Sequence, residues 1–146
     1  MSNFRRLTAD FWASPQIALE HVDEAKGRGF TLIINNRPEG EADDQVPGDA
    51  VEAAAHAAGM VYRAIPVTHA GFSEDQVRAM AAAIEEADGP VLAYCRSGMR
   101  STLLWALAQA SLGDDADELA AAAAQAGYDV TPIRPLMGIL AKGRSN

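Results

Sequence analysis

Val91-Leu92-Ala93-Tyr94-Cys95-Arg96-Ser97-Gly98-Met99-Arg100-Ser101 is the stretch on which the fold turns. The apolar run Val91 to Tyr94, entered from Gly89-Pro90, predicts a buried strand, and the pattern from Ser101 to Ser111, closed near Gly113, predicts a helix. The turn between them carries a cysteine, two arginines and a glycine, which are poor material for a buried strand end. Backbone N–H groups of such a turn point inward as a nest, and the following helix adds the positive end of its dipole. An oxyanion is favoured there. Gly98 permits close backbone approach, and Arg100 offers a planar fork for bidentate contact. The same field, with Arg96 and Arg100 on either side, favours the thiolate of Cys95 and makes it a nucleophile rather than an inert core thiol.

Outward from this turn, strands are expected at Thr31 to Asn35 and Val61 to Val67 as well as Val91 to Tyr94. Helices are expected at Ile17 to Arg28, Asp49 to Ala58, Ser73 to Ala87, Ser101 to Ser111, Asp115 to Ala126 and Pro135 to Lys142. Ser73 and Gln76 have the spacing of a capping box. The run Leu119 to Ala124 is alanine-rich because alanine favours helix and close packing. Strands alternating with helices predict an α/β fold with a central, mostly parallel sheet covered on both faces. No linker or internal repeat divides the chain, so residues 1–146 are expected to form a single domain.

Composition narrows the function classes. A formal charge of −8 over 146 residues disfavours attachment to nucleic acid or anionic membranes, since neutralising phosphates needs positive charge. No apolar run approaches the roughly 20 residues of a membrane span, and a cytoplasmic location is the expectation. One cysteine leaves no internal disulfide and no multi-cysteine metal site. His21 and His56 fall in helical patterns without zinc-site spacing, so neither a metal nor a cofactor is expected.

Other positions carry two readings each. Ser101 is placed to cap its helix and to hydrogen-bond the thiolate, whereas Ser97 serves the turn or the anion. Met99 completes the anion loop. Arg37 follows a strand at its carboxyl end, where ligands enter open α/β sheets; it either lines the pocket or, with Glu39, ties down the polar loop Pro38 to Gly48. Trp105 is expected to support the loop from behind.

Leu32-Ile33-Ile34-Asn35-Asn36-Arg37-Pro38-Glu39-Gly40-Glu41, Gly59-Met60-Val61-Tyr62-Arg63-Ala64-Ile65-Pro66-Val67 and Pro90 to Cys95 together resemble the tyrosine and dual-specificity phosphatase fold. More narrowly, they resemble the bacterial phosphatase-like domain of beta-lactamase-hydrolase-like proteins, which occurs alone or fused to sulfur-metabolising modules. The resemblance extends to Phe4-Arg5-Arg6-Leu7-Thr8 and Pro15-Gln16. It implies a phosphatase-like fold and sulfur-metabolising enzymes as partners.

Three departures from the phosphatase pattern stand out. Tyr94 replaces the histidine before the cysteine, four residues rather than five separate Cys95 from Arg100, and the region of the general-acid aspartate reads Thr68-His69-Ala70-Gly71-Phe72. The short loop resembles that of rhodanese-type sulfurtransferases, although the early Asp-Val-Arg of that fold is replaced by Asn35-Asn36-Arg37-Pro38. His69 stands where the acid is expected, as a proton donor or as a loop residue without a task. Glu74 and Asp75 sit where a helix dipole alone favours carboxylates.

The expectation from sequence is therefore sulfur transfer through a Cys95 persulfide, with an external donor and a small thiol, sulfite or cyanide as acceptor. The alternative is phosphomonoester hydrolysis through a phosphocysteine. A non-catalytic anion-binding module is the third reading, and it has no use for a thiolate.

Overall fold

The computed structural model describes residues 3–145, with side chains through residue 142. Its sheet contains β1 (Arg5–Arg6), β2 (Phe11–Ser14), β3 (Leu32–Asn35), β4 (Val61–Ala64) and β5 (Val91–Tyr94) in the order β1-β2-β5-β3-β4. Only β1 runs antiparallel to its neighbour; β2, β5, β3 and β4 are parallel. The helices are α1 (Leu19–Gly27), α2 (Gly48–Ala57), α3 (Glu74–Glu86), α4 (Met99–Ser111), α5 (Ala116–Gln125) and α6 (Arg134–Ser145), with a 3-10 turn at Thr131–Ile133.

Alternation along the strands divides the core between the two faces. Leu32, Ile34, Val91 and Ala93 pack toward α3 and α4, whereas Ile33, Leu92 and Tyr94 pack with Val22, Val51 and Ala55 of α1 and α2. Because β3 and β5 are buried on both sides, they read as continuous apolar runs and not as alternating ones. Helix α4 is the centre of the larger layer, packing on β2, α3, α5 and α6. That position explains its all-round apolar sequence. Trp105 is 1% exposed and stacks on Phe11 at 6.1 Å, so it packs in the core as expected. It does so at the entry to β2 and β5, since Phe11 registers with Val91, and not behind the loop that follows Tyr94.

Local chemistry sets the boundaries. Ser73 Oγ accepts from the Gln76 amide at 3.1 Å and Gln76 Oε1 accepts from the Ser73 amide at 2.8 Å, the expected reciprocal cap. Gly127, at φ +94°, ends α5 in a Schellman motif: its amide donates to Ala124 O and the Tyr128 amide donates to Ala123 O.

Three expectations are corrected. Strands β1 and β2 add to the predicted set, and the predicted strand Val61 to Val67 keeps ladder geometry only to Ala64, beyond which Ile65 and Val67 still donate to Asn35 O and Asn36 O around Pro66. Helix α4 begins at Met99, with Gly98 at its N-cap in the left-handed region (φ 93°, ψ −10°). Ser101 therefore lies inside the first turn and caps nothing.

Candidate active site

The carboxyl ends of β2, β5 and β3 meet at one point, since Ser14 and Asn35 both register with Tyr94. Chain order brings β5 between two strands formed much earlier, and the loop after it emerges where open α/β sheets bind ligands. Backbone bonds pin its base: the Cys95 amide donates to Ser14 O at 3.3 Å, and the Gln16 amide donates to Arg96 O at 3.2 Å. Inside the loop, the Gly98 amide donates to Cys95 Sγ at 3.1 Å. Ser97 Oγ accepts from the Met99 amide at 3.2 Å, so Ser97 satisfies one of the free amides of α4 and fills the structural half of its two readings. Thr102 Oγ1 donates to Gly98 O at 2.8 Å and locks the helix start.

Arg100 is anchored from outside the loop. Its Nη1 donates to Glu41 Oε2 and to Val67 O, and its Nη2 donates to Glu41 Oε1, all at 2.7 Å. Of the five guanidinium hydrogens, three are thereby spent. The edge formed by Nε–H and the second Nη2–H is taken by neither Glu41 nor Val67, and a hydrogen bond to Cys95 is among the effects that raise the pKa of Arg100. The Glu41 bond raises the pKa of Arg100 against the opposing effect of burial, and the charge of Cys95 acts in the same direction. The Arg100 bond in turn holds the Glu41 carboxyl down to about 2, against its burial and with help from Arg37.

Arg37 is 5% exposed and belongs to this anchor. Its Nε donates to Glu41 Oε1 at 2.9 Å and its Nη1 to Gln16 Oε1 at 3.0 Å. The tie-down reading is thus the one the structure displays, with Glu41 as the partner in place of Glu39. Glu39 instead accepts from the Gly48 amide at the start of α2, at 2.7 Å.

A cleft of about 320 Å³ is lined by His69 and Phe72 from the segment after Val67 and by Arg96, Ser97, Met99 and Arg100 from the loop and the start of α4. The structure therefore brings His69 to the same cleft as the loop. Glu74 and Asp75 instead pair with Arg78 on the exposed first turn of α3. Cys95 is buried and lies behind the residues that line this cleft, between Tyr94 and Arg96 in the chain. Ser101 Oγ is buried without a hydrogen-bond partner among the described residues, and the expected bond to sulfur is not made.

Tyr94, in the place of the phosphatase histidine, faces the α1 and α2 layer; burial first, then the neighbouring Tyr62 and Glu39, push its phenol well above the ordinary tyrosine range. His21 Nδ1 accepts from the Ala18 amide at 2.9 Å and caps α1, while His56 ends α2. Among the described residues no group of three metal-ligating side chains converges. Sequence reasoning missed Glu41, Val67 and Tyr128, whose hydroxyl donates to Ser97 O at 3.1 Å.

A parallel sheet feeding a cysteine-bearing anion loop, with an arginine fork fixed beside the sulfur, defines a tyrosine and dual-specificity phosphatase-like fold. The chain belongs to the family described as the beta-lactamase hydrolase-like protein, phosphatase-like domain, whose model matches residues 3–112. A beta-lactamase hydrolase-like protein of Xylella fastidiosa is 38% identical over 104 residues, which is 70% of this chain but 24% of the relative. The chain thus spans about a quarter of the length of that curated relative. A candidate phosphatase from Neisseria meningitidis is 28% identical, with a TM-score of 0.82 over 96% of this chain and 99% of the other. Pseudomonas aeruginosa TpbA, solved in complex with phosphotyrosine, shares the fold at 16% identity, with a TM-score of 0.68 over 99% of this chain and 91% of its own.

Proposed function

We propose that this chain is a cysteine-dependent phosphatase acting on phosphomonoesters. The observation that carries the reading is the Arg100 fork: with its end pair spent on Glu41, its side edge and the loop amides offer donors for the equatorial oxygens of a phosphoryl group. Cys95 Sγ attacks phosphorus as the P–O bond to the leaving group breaks, and the leaving oxygen takes a proton. His69, which lines the same cleft as the loop, is the donor we assign. Water then attacks phosphorus, the S–P bond breaks, and inorganic phosphate leaves a regenerated thiolate.

Family membership and the Neisseria likeness support this reading over sulfur transfer, which the sequence alone puts first. One observation still favours a persulfide: four residues separate Cys95 from Arg100, as in sulfurtransferase loops. Neither the family nor the fold neighbours add support to it. The test compares para-nitrophenyl phosphate and phosphotyrosine hydrolysis by the protein and by Cys95→Ser, alongside intact mass after incubation with thiosulfate. Phosphate release that Cys95→Ser abolishes is the expected result. A gain of one sulfur atom on Cys95, without phosphate release, would reverse the order.

A further inference from the structure

The peptide between Ser97 and Gly98 makes hydrogen bonds on both sides. Its N–H, from Gly98, donates to Cys95 Sγ at 3.1 Å, and its C=O, from Ser97, accepts from the Tyr128 hydroxyl at 3.1 Å. Reversing this peptide would aim the Ser97 carbonyl oxygen at the sulfur and at any bound anion, replacing a donor by a negative partial charge.

Local geometry opposes that reversal weakly. A peptide flip changes ψ of Ser97 and φ of Gly98. Gly98 now sits at φ 93°, ψ −10°, and the flip would carry φ to the negative side, where the same ψ belongs to an ordinary right-handed residue at a helix start. Both orientations are therefore open to glycine, and the surroundings decide between them.

We infer that Tyr128 is a positioning residue for the nucleophile loop, its hydroxyl latching the Ser97–Gly98 peptide with the N–H turned toward Cys95. Tyr128 lies beyond the stretch that the family model matches. The Schellman end of α5 places it, and Arg5 holds it there, with its guanidinium 5.3 Å from the ring centroid and its Nη1 donating to Ala126 O at 3.1 Å. A Cβ at Gly98 would stand 2.1 Å from the Tyr128 hydroxyl, so the ring also fills the space that the absent side chain leaves. Burial raises the phenol above its ordinary value against the opposing effect of Arg5, which keeps it protonated and able to donate.

The inference rests on the Cys95-centred reading of the site, though not on which group is transferred. Its test is Tyr128→Phe, which keeps the ring and removes the donor. Two quantities are read: the inorganic phosphate concentration that protects Cys95 from iodoacetamide, and the response of the Gly98 amide resonance to pH. A lost hydrogen bond of ordinary strength predicts that the variant needs about tenfold more phosphate. The Gly98 resonance should lose its dependence on Cys95 ionisation, while the thermal midpoint stays within about 8 °C of the parent. Unchanged protection together with an unchanged Gly98 response would overturn the assignment. If the phenylalanine variant fails to fold, para-fluorophenylalanine at position 128 supplies the same shape without a donor and decides on the same readings. Should phosphate fail to protect the parent protein, the phosphatase reading falls, whereas the Gly98 resonance still decides the role of Tyr128.

Discussion

Glu41→Gln separates the anchor of Arg100 from the fold that surrounds it. Glutamine keeps the size of the side chain and one acceptor oxygen but removes the charge that faces Arg100 at 2.7 Å and Arg37 at 2.9 Å. The carboxyl is lowered from 4.5 to about 2 in the folded protein, chiefly by the Arg100 bond. At about 1.4 kcal/mol per pKa unit this depression bounds the contribution at about 3 kcal/mol. The side chain is 17% exposed, and solvent screening brings the expected loss to about 2 kcal/mol.

The pH dependence follows from the sign of the shift. A depressed carboxyl stabilises the fold fully above its unfolded value of 4.5 and loses that stabilisation as pH falls toward about 2. Urea unfolding of parent and variant should therefore differ by about 2 kcal/mol at neutral pH. The difference should shrink steadily through the acid window, because Glu41 in the parent then becomes as neutral as glutamine. Other carboxylates titrate in both proteins and cancel. Equal stability at neutral pH, or a gap that persists below the window, would refute the ion-pair account. Loss of the anchor should also cost catalysis, with kcat/KM falling by at least about tenfold as the fork loses its fixed direction.

Arg100→Lys retains a charge but not the two-pronged edge, so kcat/KM should fall by about 10²- to 10³-fold, and losing the paired bonds to Glu41 should lower the unfolding midpoint as well; near-parent kinetics would sink the fork argument. His69→Ala should slow alkyl phosphates by about 10²-fold while leaving para-nitrophenyl phosphate, whose leaving group needs no proton, close to parent rates; equal effects on both substrates would remove His69 from the proton path. Gly98→Ala places a Cβ 2.1 Å from the Tyr128 hydroxyl at a φ of +93°, and calorimetry should show a loss of about 1–3 kcal/mol. Unaltered stability would mean that the loop relaxes freely around that contact.

Elements that satisfy their own chemistry locally were legible in the sequence. Strands β3 and β5 are apolar runs because both faces are covered, and α3 carries its capping box within four residues of chain, Ser73 to Gln76. Strand β1 consists of Arg5 and Arg6, and nothing in that pair reports a strand. Its pairing with β2, and the parallel pairing of β2 with β5, are set by contacts across the chain. The start of α4 departs from the expected Ser101 for a related reason. A side-chain oxygen at Ser101 suggests a cap, but backbone geometry at Gly98 and the Ser97 hydroxyl already begin the helix three residues earlier than that cap would allow.

The candidate site divides along the same line. Cys95, Gly98 and Arg100 lie on one short turn, and their chemistry is visible in their order. Glu41, Val67 and Tyr128 reach that turn across 59, 33 and 31 residues of chain, and no spacing rule announces them. Their absence from a sequence reading has a chemical consequence. Counting four residues between Cys95 and Arg100 treats loop length as the quantity that aims the arginine, which draws the reading toward sulfur. In the folded chain the guanidinium is aimed by Glu41, on the segment between β3 and α2, and by the Val67 carbonyl, on the segment between β4 and α3, both outside the loop. The Gly98 amide is turned toward sulfur with Tyr128 behind it. A loop whose donors are fixed from outside can present an oxyanion pocket at either length, so the Cys–Arg spacing is weak evidence for choosing between phosphorus and sulfur.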